Sequence, residues 1–174
     1  MKYVALFRGI NVGTSKRIDM KHLKTLLEGL GYENVSTYIN SGNVRFETSE
    51  KVEKILASLD VCFRSELGYE IPTLVKTIDE MQLIAAEIPA QWQNDSEQRT
   101  DVAYLFAEVD SIDIIDKLPF KRDFIDVRYI KGALIWNVTR EQVYKSRLAK
   151  LIGHKLYSYM TIRNVNTARK MAED

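Results

Sequence analysis

The sequence predicts an α+β protein with antiparallel sheets, built from two halves of nearly the same order. Three observations carry this. Short β-favouring runs alternate with amphipathic helical stretches along the 174 residues. Two tight-turn strings, Asn40-Ser41-Gly42-Asn43 and Lys131-Gly132, each separate a pair of strand-like runs and so mark hairpins. Each hairpin is flanked by helical stretches, so strand, helix, hairpin, helix occurs twice without visible repetition of the residues.

In order, Tyr3 to Phe7 is continuously apolar, the pattern of a central strand. It ends at Arg8 in a loop punctuated by Gly9, Asn11 and Gly13 and followed by the basic pair Lys16–Arg17. Asp19 is placed to cap a helix whose Met20, Leu23, Leu26, Leu27 and Leu30 recur at helical spacing, and Gly31 closes it. Val35, Thr37 and Ile39 alternate with polar neighbours, and Val44 and Phe46 return after the turn. A second helix runs from Ser49 to about Leu67, with Cys62 on its apolar face and Gly68 at its end. Ile71 to Thr77 is a fourth strand, and Thr77 with Glu80 forms a capping box for a third helix.

The polar stretch 89–100 reads as a linker. Beyond it, Asp101 to Ala107 is a strand, and a short helix starts near Ser111. Phe124 to Ile130 and Ala133 to Val138 make the second hairpin. Thr139 and Gln142 suggest another capped helix, with Tyr144, Leu148, Leu151 and Ile152 on its apolar side, and a short basic helix follows from about Asn164. The first half thus reads βαββαβ plus a helix, the ferredoxin-like order, and the second reads βαββα. The predicted units are residues 1–88 and 101–174.

Composition excludes some classes. Hydrophobic residues make up 45% and charged residues 28%, an ordinary globular balance. No apolar run approaches the ~20 residues that span a bilayer, and the N-terminal MKYVALFRG has no signal-peptide pattern. With one cysteine no internal disulfide can form, so a cytoplasmic location is the default. The two histidines, His22 and His154, show no metal-ligand spacing with Cys62, and no nucleophile elbow is present, so neither a metal nor a cofactor is expected. Net charge is +1 but uneven: +5 over residues 1–25, −8 over 78–126 and +7 over 140–170. Basic ends can converge on an anionic partner, or neutralise the acidic middle within the fold or across a homodimer.

In a βαββαβ unit the first two strands run parallel, so the loop after strand one and the turn after strand two share one end of the sheet. That predicts a pocket from Arg8, Gly9, Asn11, Gly13 and Arg17 with Asn40, Ser41 and Asn43. Arginine matches phosphate or carboxylate in a bidentate way, while asparagine in a loop as commonly satisfies the backbone. Arg163 and Asn164 stand at a helix start, where exposed N–H groups accept anions, although a capping asparagine is the equal alternative. Lys145, Arg147, Lys150, His154 and Lys155 read as a solvated helix face, since no aromatic side chains alternate with them as stacking platforms.

Three strings together, FRGINVG at 7–13, YINSGNV at 38–44 and TIRNVNT at 161–167, resemble a family of bacterial proteins of unknown function, domain-of-unknown-function family sixteen-ninety-seven. The resemblance spans nearly the whole chain and implies the duplicated ferredoxin-like plan, but no activity. Thr14 stands where the family often has a second glycine, and Ile162 and Val165 stand where it usually has threonine and tryptophan. The favoured function is binding of a small anionic ligand at the loop after strand one, with the question of catalysis open. One alternative is a phosphoryl-group hydrolase, by fold-level analogy with acylphosphatases, with Arg8 on the phosphoryl oxygens and an asparagine orienting water. Others are a nucleic-acid binder using exposed aromatics such as Tyr3 and Phe7 on a sheet face, and a dimerising interaction protein.

Overall fold

The computed structural model describes residues 1–173; Asp174, the last residue of the expected second half, lies outside them. The chain forms two compact units, Met1–Met81 and Gln82–Glu173.

The first unit runs β1 (Lys2–Phe7), α1 (Met20–Gly29), β2 (Glu33–Tyr38), β3 (Asn43–Glu47), α2 (Val52–Leu67) and β4 (Thr73–Thr77), and the division falls inside α3 (Ile78–Ala86). Its sheet has the order β2-β3-β1-β4 with all neighbours antiparallel. Both β1 and β2 oppose β3, so they run the same way and end at the same edge of the sheet. The apolar run of β1 is buried on both faces. Tyr3, Ala5 and Phe7 join the core under the helices, and Val4 and Leu6 on the other face are equally buried. Phe7 meets Phe63 of α2 edge-on at 5.4 Å, and Tyr3 stacks on Phe46 at 5.8 Å, contacts worth about 0.5–1.5 kcal/mol each beyond their burial. This burial removes Tyr3 and Phe7 as sheet-face platforms for bases. The α1 stripe buries Leu23 and Leu27, and α2 buries Ile55, Leu59 and Phe63. Cys62, expected in the core, is only half-buried, and burial together with Glu66 pushes its thiol pKa up, away from nucleophilic chemistry.

The second unit runs β5 (Gln98–Leu105), α4 (Ile114–Lys117), β6 (Asp126–Ile130), β7 (Ala133–Thr139), α5 (Val143–Ser146), β8 (Met160–Asn164) and α6 (Val165–Met171). Its strand order, β6-β7-β5-β8, reproduces that of the first sheet strand for strand.

Three features depart from the sequence reading. The second half closes with a fourth strand, β8, so it is βαββαβ like the first. In β8 the polar Thr161 and Arg163 are buried along with Met160 while Ile162 is only half-buried, so burial does not follow the apolar–polar pattern of the strand. The helix expected after Thr139 is broken into short turns. Ser146 is fully buried, its Oγ accepts the Leu148 N–H at 3.2 Å, and Arg147 takes a left-handed φ of +61°. Finally, the polar stretch 89–100 is packed rather than a free linker. Trp92 is 7% exposed, Asp95 accepts the N–H groups of Glu97 and Gln98, and residues 98–100 already belong to β5. Arg169 of α6 donates to the carbonyls of Pro89 and Trp92 and to Gln93 Oε1. Its polar residues hold a turn together, which composition alone does not distinguish from solvation.

Candidate functional site

The loop from Arg8 to Asp19 doubles back on itself. Its first arm carries Ile10 and Asn11, and after the tip the chain comes alongside again in the same direction, with a parallel bridge between Ile10 and Lys16. The Asn11 N–H donates to Lys16 O at 2.8 Å. The Asn11 side chain completes the join in both directions: Nδ2–H donates to Ile18 O at 2.8 Å, and Oδ1 accepts the Ile18 N–H at 2.9 Å. An amide is the one short side chain that can act as a peptide group in this way, and asparagine tolerates the φ of +54° found here. Val12 and Ser15 bond each other twice across the tip, and Arg17 donates to Gly13 O at 2.9 Å.

The turn after β2 meets this loop as the topology predicts. Phe7 N–H donates to Gly42 O at 2.9 Å, and Asn11 Nδ2 lies 3.3 Å from Asn40 Oδ1. The approach at Gly42 leaves no room for a side chain. Its φ is +73°, and a Cβ would come within 2.8 Å of Ile10 Cδ1 and 3.0 Å of Phe7 Cβ. Beside it, Asn43 is fully buried and donates to Tyr38 O and Ser41 Oγ at 3.1 and 3.0 Å.

Two clefts flank the double-backed loop. One, of about 300 Å³, is lined by Arg8, Gly9, Ile10, Ser15, Lys16 and the chain entering β4, Glu70 to Pro72. Arg8 N–H donates to Pro72 O at 2.9 Å, which sets this wall. Lys16 Nζ stands 3.9 Å from the centroid of the Tyr69 ring, and Glu70 is ion-paired with Arg64, so a partner on α2 offsets the cleft's acidic group. The other cleft, of about 470 Å³, has Asn11, Arg17, Asp19, Lys21 and Asn40 in its walls. There the start of α1 is occupied by the protein's own anion, since Asp19 accepts the N–H groups of Lys21 and His22 at 2.7 and 3.4 Å. The helix terminus is therefore not the place for a ligand's charge.

The structure thus brings Arg8 and Gly9 into one cleft and Asn11, Arg17 and Asn40 into the other. Gly13 accepts from Arg17 at the loop's tip, and Ser41 and Asn43 stabilise the turn. Ser15, Lys16, Glu70 and Pro72 are cleft residues beyond the set predicted from sequence. Their placement depends on β4 pairing beside β1, which puts the entry to β4 at the exit of β1. Arg163 and Asn164 belong to the second unit. Arg163 is 9% exposed and donates to Thr161 Oγ1 and Ile162 O at 2.9 Å each. Burial pushes its pKa down to about 10, against a raising influence from Tyr104. Asn164 caps α6, accepting the Thr167 N–H at 3.0 Å; of its two readings, the cap is the one realised. Among the described residues no group of three His, Cys, Asp or Glu side chains could hold a metal ion, and no helix is long and apolar enough to cross a membrane.

A solved structure described as a conserved bacterial protein, SP0830, from Streptococcus pneumoniae is similar to this one with a TM-score of 0.85 and 26% sequence identity, over 98% of this chain and 96% of that one. No curated protein matches the chain. A family model described as "Protein of unknown function (DUF1697)" matches residues 1–136, which include the double-backed loop, the Gly42 turn and both clefts. By that match over most of its length, the chain belongs to this family.

Proposed function

We propose that the protein binds a small molecule bearing a phosphate or carboxylate group, in the cleft between the loop after β1 and the entry to β4. One observation carries this reading: Arg8, Lys16 and the Ser15 hydroxyl line a single recess of about 300 Å³, while its only carboxylate, Glu70, is tied to Arg64. Guanidinium and ammonium groups beside a hydroxyl form a donor set suited to an oxyanion. The Lys16 ammonium is held in the cleft by the Tyr69 ring beneath it and by the Glu70 carbonyl at 3.4 Å, which lowers the ordering cost of using that ammonium. Asn11 and Asn43 use their amides to hold the loops. Neither is set to orient a water, and binding is the reading favoured over hydrolysis.

The test is a thermal-shift screen of wild type, Arg8→Ala and Lys16→Ala against nucleotides, sugar phosphates, coenzyme A species, acyl phosphates and dicarboxylates. A ligand at about 100 times its Kd adds about 2.7 kcal/mol, or several degrees in Tm. Stabilisation of wild type by one class, lost in both variants, supports the reading and names the chemistry. Stabilisation that survives in both variants, or none from any class, contradicts it.

A further inference from the structure

The break in the helix after β7 changes which side chains reach solvent. As one continuous helix, residues 140–152 would bury Tyr144 and Ile152 with Leu148 and Leu151. In the structure Leu148 and Leu151 are buried, but Tyr144 is 94% exposed and Ile152 69%. The cause is local. Ser146 takes the Leu148 N–H on its own hydroxyl and gives its carbonyl to the Lys121 N–H at 2.9 Å, and Arg147 turns left-handed. The phase of the following turn shifts, and Tyr144 is left outside.

Tyr144 stands among cations. Lys145, Arg147, Lys150 and Lys155 are all exposed. The Lys121–Ser146 bond brings the exposed Lys121 to the same place, and Lys145 Nζ lies 5.9 Å from the centroid of the half-buried Phe124 ring. Residues 140–159 hold five Lys and Arg against one acid, Glu141, and the adjoining segment 121–126 adds Lys121 and Arg122 with Asp123 and Asp126. The surface therefore sets one almost fully exposed ring, Tyr144, among basic side chains, which the expected solvated helix face lacked.

We propose that this surface binds single-stranded nucleic acid, with phosphates along Lys121, Lys145, Arg147 and Lys150 and a base stacked on Tyr144. Charge alone would suit any polyanion, but an almost fully exposed tyrosine among cations adds the stacking platform that single strands use. The inference is independent of the anion cleft, which lies in the other unit.

The experiment is fluorescence anisotropy of a labelled oligothymidylate of about 12 nucleotides, a length within typical site sizes, at low and rising salt. Wild type, Tyr144→Ala and Lys145→Ala/Lys150→Ala are compared, with poly-glutamate as competitor and thermal melts confirming that each variant is folded. The expected result is salt-dependent binding that Tyr144→Ala weakens about tenfold. The double lysine variant should lower the salt slope by roughly 1–2, and poly-glutamate should compete poorly. Absence of binding at low salt overturns the proposal. So does binding that is indifferent to Tyr144→Ala and displaced equally by poly-glutamate, the signature of a surface for acidic proteins.

Discussion

The loop that leaves β1 and the loop that leaves β5 start from the same backbone. In the first unit Phe7 N–H donates to Gly42 O at 2.9 Å and Arg8 N–H to Pro72 O at 2.9 Å; in the second, Leu105 N–H donates to Gly132 O at 3.0 Å and Phe106 N–H to Tyr159 O at 3.0 Å. The equivalence continues to the far end of the sheet. Thr77 caps α3 through Glu80 N–H at 3.2 Å, and Asn164 caps α6 at the matching position of β8. One residue earlier, Lys76 and Arg163, each 9% exposed, pair with Val4 and Val102.

Against this shared frame the side chains diverge. Phe106 stands where the first unit has Arg8. The basic loop with Lys16 and Arg17 is matched by a segment holding Glu108, Asp110, Asp113 and Asp116. There Asp110, not an asparagine, ties loop to hairpin, accepting from Gly132 N–H at 2.8 Å, Tyr129 OH at 3.0 Å and Lys131 Nζ at 3.1 Å. The comparison separates two kinds of feature. Features present in both units are what the fold requires, and the Asn164 cap and the buried register of Arg163 fall among them. The second unit has Phe106 in place of Arg8, so the fold does not require that arginine.

The comparison can be broken most severely at the hairpin glycines. Gly42→Ala should cost roughly 2–4 kcal/mol, the sum of left-handed strain and overpacking against Ile10 and Phe7, read as a fall in denaturation midpoint. A loss below about 1 kcal/mol would mean that loop and turn are not tightly joined.

Next comes Asp110→Ala, which strands the Gly132 N–H and should cost about 1–3 kcal/mol. Hydrogen bonds from Gly132, Lys131 and Tyr129 outweigh the opposing effect of burial and hold the Asp110 pKa below the usual carboxylate value. The folded state therefore favours the ionised form. That contribution is present at neutral pH and is lost as pH falls through the carboxylate range. A pH series of melts should show wild type and Asp110→Asn converging in acid, and parallel curves would contradict the assignment.

Asn11→Gly keeps the left-handed backbone but removes both bonds to Ile18, for a loss of about 1–2 kcal/mol. Its counterpart prediction is that the second unit's amide exchange is unchanged in this variant. The smallest effect on stability is expected for Arg8→Phe, which installs the second unit's residue: about 1 kcal/mol or less.

Much of this was legible in the sequence, and the reasons for the rest are physical. The β1 run, the Asp19 cap, both hairpins and the Thr77–Glu80 capping box are local signals, and the structure contains all of them. The crossover helices of the second unit were legible in place but not in extent: α4 and α5 are four residues each, too short for a 3.6-residue period to set their length. Strand β8 was hidden by its buried arginine and threonine. At the site, the meeting of Asn11 with Asn40 followed from topology, whereas Lys16 and Pro72 become neighbours of Arg8 only through the loop's second arm and the β1–β4 pairing.

The most direct test of the central claim is a backbone NMR titration of wild type and Arg8→Phe with inorganic phosphate and with acetate, the minimal forms of the two anion classes. The prediction is saturable shifts for at least one of them at amides 9–16 and 70–71, none at 106–110, and their disappearance in Arg8→Phe. Equal shifts at both loops, or shifts that survive Arg8→Phe, would contradict the claim that one copy of a shared frame has been turned into an anion site.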